Sequence, residues 1–148
     1  MRMLLVVALI AAFAGPGRAV EPVVAYTITN GAEITDSLTG APGDIERGRA
    51  LYAGEARAGC PACHGVPGVA GETAAAPDLS GIGGRLGAGA IRLWIVAPAV
   101  ILPETTMPPF YAAGQRTGAD DPLYGGPALT AEEVEDLVAY LASLHEPR

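Results

Sequence analysis

The residues with the clearest capacity for chemistry are Cys60, Cys63 and His64, which stand together as CPACH. The C-x-x-C-H spacing in an exported chain reads as covalent attachment of a c-type haem. Two thiols three positions apart on a helical turn can each add to a vinyl group of the porphyrin. The histidine that follows is then placed under the ring, where it can ligate iron. Other uses of these residues fit less well. A thioredoxin-like dithiol needs a βαβ setting that this glycine-rich chain does not supply. A structural zinc needs four ligands, and His145 is the only further imidazole or thiolate donor, while adjacent Cys63 and His64 would chelate one ion poorly. A disulfide between Cys60 and Cys63 closes too small a loop to stabilise much.

An iron held by His64 needs a sixth ligand or an open position. Met107 is the leading candidate, because its ETTMPPF surroundings are stiffened by proline, an odd place for a flexible gap-filling side chain. His145 is the alternative, although at the end of the last helix a solvated histidine that favours the helix dipole is the plainer reading. The glycines at 81, 83, 84, 87 and 89 do not make a dinucleotide-binding loop, since Leu86 stands where G-x-G-x-x-G needs its third glycine.

These residues need elements to position them. The best-specified helix is the last, in LTAEEVEDLVAYLASL. Thr130 is its N-cap, Glu133 completes a capping box, and Leu129 with Val134 forms a hydrophobic staple. Val134, Leu137, Val138, Leu141 and Leu144 make one apolar stripe, with Glu132, Glu135 and Asp136 expected on the opposite face. GDIERGRALY predicts a short helix capped by Asp44 that leads into the cysteines. Gly48 inside it marks either a close approach by another element or a tolerated surface glycine. A further helix is expected over residues 88–96, stopped near Pro98. Residues 65–89 read as a long irregular loop wrapped around something, and residues 20–43 as an extended arm with one short strand.

The first residues bear on compartment. Met1, Arg2 and Met3 precede an apolar run over residues 4–14, and Gly17 and Ala19 suit a signal-peptidase site before Val20. The run is too short to span roughly 30 Å of hydrocarbon, so residues 1–19 read as a cleavable signal peptide and no membrane span is expected afterwards. Sixteen acidic residues stand against nine basic ones, all of them arginine, for a formal charge of −7 over 148 residues. Loss of the leader would remove Arg2 and Arg18 and leave the remainder more acidic still. Such a chain is not built for nucleic acid, and two cysteines cannot make a disulfide framework.

Taken in order, GDIERGRALY, CPACH, PDLSGIGGR, LWIVAP, PETTM and the terminal VAYL helix resemble the class I cytochromes c. The resemblance covers residues 43–144. It implies an all-α fold of three to five short helices wrapped around one covalently bound haem c, here residues 44–146 behind the arm. It also implies that the carbonyl of Pro77 orients His64, that Arg85 lies near a haem propionate, that Trp94 lines the haem pocket, and that the first helix crosses the last at Gly48 near Tyr140. More narrowly, SLTGAPGD, RLGAGAIRLWIVAP, PETTMPPFY and the last helix resemble the SoxX family, the monohaem subunits of the periplasmic sulfur-oxidation cytochrome SoxAX.

That resemblance implies a larger haem-bearing SoxA-like partner and an indirect sulfur-carrier protein whose cysteine is joined oxidatively to thiosulfate. It also implies a downstream electron acceptor. The chain would then accept electrons without binding substrate, and no catalytic residue is assigned to it. The arm is longer than a minimal cytochrome needs and is expected to clasp the partner. A free-standing periplasmic electron carrier with several redox partners is the alternative. An enzyme in its own right would require a displaceable sixth ligand.

Overall fold

The computed structural model describes residues 22–54, 58–69, 76–116 and 125–145. The expected signal peptide, the first two arm residues and Glu146 lie outside the described residues. Among the described residues four α-helices follow one another: α1 (Ile45–Ala53), α2 (Ile82–Arg85), α3 (Ala88–Val96) and α4 (Ala131–Ser143). Short 3-10 turns lie at Cys60–Ala62 and Pro98–Val100. Helix α4 is the axis, and α1, α2 and α3 all pack on it.

The local chemistry explains where these helices begin. The Asp44 carboxylate accepts from the Arg47 N–H at 2.8 Å and caps α1. At α4 the Thr130 hydroxyl accepts from the Glu133 N–H, and the Glu133 carboxylate accepts from the Thr130 N–H at 2.9 Å. Both expected caps form, satisfying amides that a helix start otherwise leaves without partners. Helix α3 has the expected bounds and gives way to the turn that starts at Pro98.

Gly48 is a close crossing. A Cβ there would collide with the Asp136 carbonyl and stand 2.8 Å from Cβ of Tyr140, so only glycine lets α1 lie this near α4. Gly83 does the same for α2, because a Cβ would strike the Ala142 carbonyl. The Gly83 N–H donates to the Leu144 carbonyl at 2.9 Å. The span 65–89, expected from its composition to be a long irregular loop, is therefore not wholly irregular. It contains α2 and a tight turn bridging Val66 and Val69, both of which need partners distant in sequence or local turns that composition does not announce.

Two further expectations are corrected. The arm forms no strand among the described residues. Asn30 and Gly31 both take positive φ and turn the chain back so that Thr29 pairs only with Glu33, which ends any extended run. Nor do the acidic residues of α4 all face solvent. Glu135 is 3% and Asp136 4% exposed, because the arm, α1 and α3 close over the face opposite the apolar stripe. Glu132 alone of the three is exposed.

Both buried carboxylates are paired. Glu135 grips Arg92 of α3 with two hydrogen bonds, 2.7 Å to Nε and 2.8 Å to Nη2. Glu135 also accepts from the Leu38 N–H at 2.9 Å, while Arg92 donates to the Ile34 carbonyl at 2.6 Å. Asp136 accepts from Nε of Arg47 at 2.7 Å and from the Asp44 N–H. Ile34 and Leu38 are buried with the core, so this part of the arm is built into its own domain.

Removing one partner of a buried pair strands the other charge. Glu135→Ala should therefore cost about 3–5 kcal/mol in urea unfolding, whereas a joint Arg92→Met, Glu135→Leu replacement should cost clearly less. Burial pushes the Asp136 carboxyl upward, but the hydrogen bond and charge of Arg47 and the Asp44 N–H outweigh it, and its pKa lies below the ordinary 3.8. A lowered folded-state pKa stabilises the fold fully above the ordinary value and progressively less as pH falls through the folded one. Urea midpoints should therefore fall below about pH 4, and Asp136→Asn should flatten that fall.

Candidate functional site

The CPACH segment begins at Gly59, whose φ of 57° sets the entry to the turn. Cys60 opens the 3-10 turn and Cys63 closes it, with the Cys63 and His64 amides both donating to the Cys60 carbonyl at 3.1 and 2.9 Å. No disulfide joins the two cysteines. Before any attachment, burial pushes the Cys60 thiol up to about 11, while Cys63 is exposed.

His64 is fixed through both its ring and its backbone. Nδ1 lies 2.8 Å from the Pro77 carbonyl oxygen. A carbonyl only accepts, so Nδ1 carries the proton and Nε2 keeps the lone pair that a metal requires. The His64 carbonyl accepts from the Tyr52 hydroxyl at 2.8 Å. Tyr52 comes from α1, is 1% exposed and packs its ring against Tyr140 of α4 at 5.7 Å and 57°. Burial holds its phenol well above the ordinary 10.0, so it remains a donor. That the Tyr52 hydroxyl reaches His64 depends on the α1–α4 crossing.

Pro77 is presented by a braced turn. The Leu79 N–H donates to the Gly65 carbonyl at 2.8 Å. Arg85, at the end of α2, donates to the Ser80 carbonyl at 2.8 Å and the Asp78 carbonyl at 3.2 Å. Hydrogen bonds from the Ser80 side chain and amide hold the Asp78 carboxyl below its usual range. Cys60, Cys63, His64, Pro77 and Arg85 thus form one connected group.

Trp94 and Met107 come from other elements. Trp94 is half-buried on α3 between the buried Leu93 and Ile95. Met107 is half-buried in the loop that follows the Pro98–Val100 turn. Its N–H donates to the Thr105 hydroxyl at 3.2 Å. Downstream, the Phe110 N–H donates to the Ile95 carbonyl at 3.0 Å, and the Leu129 N–H donates to the Phe110 carbonyl at 2.9 Å. Among the described residues no hydrogen bond joins Trp94 or Met107 to the His64 group. His145 is exposed beyond the end of α4, beside Gly84.

This donor set fits a covalently held haem. It offers two free thiols on one turn and a histidine with Nδ1 engaged and Nε2 left for iron, and it places a thioether on a separate, backbone-anchored loop.

The family model for cytochrome c matches residues 45–145. No curated protein matches the chain. Among solved structures, a chain of the crystal structure of SoxXA from P. pantotrophus is similar, with a TM-score of 0.69 and 32% identity, over 83% of this chain and 95% of that one. The chain therefore belongs to the cytochrome c family, as an all-α, SoxX-like class I electron-transfer cytochrome that carries one haem c covalently through Cys60 and Cys63.

Proposed function

We propose that this chain is the electron-accepting monohaem subunit of a periplasmic SoxAX-like complex, paired with a larger haem-bearing SoxA-like subunit. The observation that carries the reading is the likeness to a chain of SoxXA over 95% of that chain's length. The signal-peptide pattern of residues 1–19 supports export. Joining thiosulfate to a carrier-protein cysteine forms one S–S bond and releases two electrons and the thiol proton. A chain with a single haem takes one electron at a time, so it must accept and discharge twice per bond, passing each electron to a downstream acceptor.

The haem, when bound, supplies a one-electron couple whose potential is raised by His/Met ligation relative to other ligand sets. Cys60 and Cys63 would tether it, and His64 Nε2 and the Met107 sulfur would ligate its iron. The Pro77 carbonyl keeps His64 in one tautomer and orientation. Arg85 is proposed to serve a propionate, and Trp94 to line the pocket. With both cysteines consumed by attachment, the chain has no thiol to carry substrate sulfur, so the sulfur-bonding step is placed on a partner.

The test is expression with a periplasmic haem-maturation system, alone and together with the proteins encoded beside it. A larger haem protein should copurify, and the ferric spectrum should show the red-edge charge-transfer band of methionine sulfur, which Met107→Ala should abolish. A Cys60→Ser, Cys63→Ser variant should yield polypeptide from which acidified solvent extracts all haem. A lone monomer with the band intact would favour the free-standing carrier, and a band unchanged in Met107→Ala would remove Met107 as ligand.

A further inference from the structure

The segment after Met107 is anchored from an unexpected direction. Pro108 and Pro109 follow it directly, and their fixed φ makes a stiff link from Met107 to whatever holds Phe110 and Tyr111. Several anchors grip that far end. The Phe110 N–H and carbonyl bond to Ile95 and Leu129. The Gln115 side chain donates to the Pro109 carbonyl while its oxygen accepts from the Ala112 N–H at 2.9 Å and the Ala128 N–H at 3.1 Å. The remaining anchor is the Tyr111 hydroxyl, which accepts from the Val24 N–H at 2.8 Å. Tyr111 is 3% exposed while Val24 is 43% exposed, so a buried acceptor is met by a donor at the edge of the core.

Val24 belongs to the N-terminal arm, 87 residues away in sequence. The arm is held at two stations: the Arg92–Glu135 pair takes its backbone at Ile34 and Leu38, and Tyr111 takes it at Val24. Between them Tyr26 and Ile28 rest half-buried on the core. The arm is therefore a strap whose outer end closes onto the methionine loop.

We infer that this strap holds Met107 in place, with Tyr111 as a positioning residue and the Val24 N–H as its partner; the inference rests on Met107 being the sixth ligand. Loosening the strap makes the thioether easier to displace without removing it. One neutral hydrogen bond is worth about 1 kcal/mol net, which corresponds to about a fivefold change in an equilibrium.

The probe is imidazole, titrated against the ferric full-length protein. Tyr111→Phe keeps the ring and removes the accepting oxygen. Val24→Pro removes the donor, and Val24→Ala is the control that keeps it. The expected result is an imidazole association constant raised about fivefold in Tyr111→Phe, in Val24→Pro and in the double variant alike, with Val24→Ala unchanged. The methionine band should be intact in all of them before imidazole is added. Wild-type affinity in Tyr111→Phe and Val24→Pro, or gains that multiply in the double variant, would overturn the inference while leaving Met107 as ligand. A Met107→Ala variant that keeps the band would overturn the ligand reading and the strap's role with it.

Discussion

Glu135 and Asp136 of α4 are buried, and a buried carboxylate must be met by donors or the fold cannot keep it ionised. That requirement sets the position of three other segments. Glu135 draws in Arg92 of α3 and the arm backbone at Leu38. Asp136 draws in Arg47 and the amide of Asp44, which seats the first turn of α1. The helix that carries the apolar stripe thus also carries the polar fasteners, and elements close on it from both faces.

The haem-bearing segment inherits its position from this joint. Because Gly48 lets α1 lie against the Asp136 carbonyl, Tyr52 on the next turn reaches Tyr140 on one side and the His64 carbonyl on the other. His64 is then held by α1 through its backbone and by the Pro77 turn through its ring. A one-electron carrier benefits from such double support, since ligands that do not shift between oxidation states lower the reorganisation that accompanies each transfer. The absence of lysine has a related reading. Arg92, Arg47 and Arg85 each use the guanidinium fork to make two or more directed bonds to carboxylates or carbonyls, which an ammonium of point-like charge cannot reproduce in the same geometry.

The arm shows how a segment can look accessory in sequence and be integral in space. By sequence it reads as an extended arm longer than a minimal cytochrome needs; in the fold Ile34 is 1% exposed and its carbonyl is a partner of a buried arginine. The asparagine–glycine turn at residues 30–31 doubles the chain back, and the pairing at Thr29 and Glu33 stops after one bridge.

Features that depend on neighbours in sequence were legible without coordinates: the CPACH motif, the Asp44 cap, the Thr130–Glu133 capping box, the bounds of α3 and the stop at Pro98. Each is fixed by bonds or sterics within a few residues. The acidic face of α4 was misjudged because helical periodicity shows which residues share a face but not how many faces other elements will cover. Gly48 was ambiguous by spacing for the same reason, its crossing with the last helix being implied only by the family resemblance, and Tyr52, Gln115 and Tyr111 gave no sign of their partners, since their hydrogen bonds join residues that only the fold brings within bonding distance. The sequence by itself determined the attachment chemistry and the helices; the tertiary structure alone decided which buried charges meet, what holds His64, and where the arm ends, because those are contacts between segments whose spacing along the chain carries no record of their distance in space.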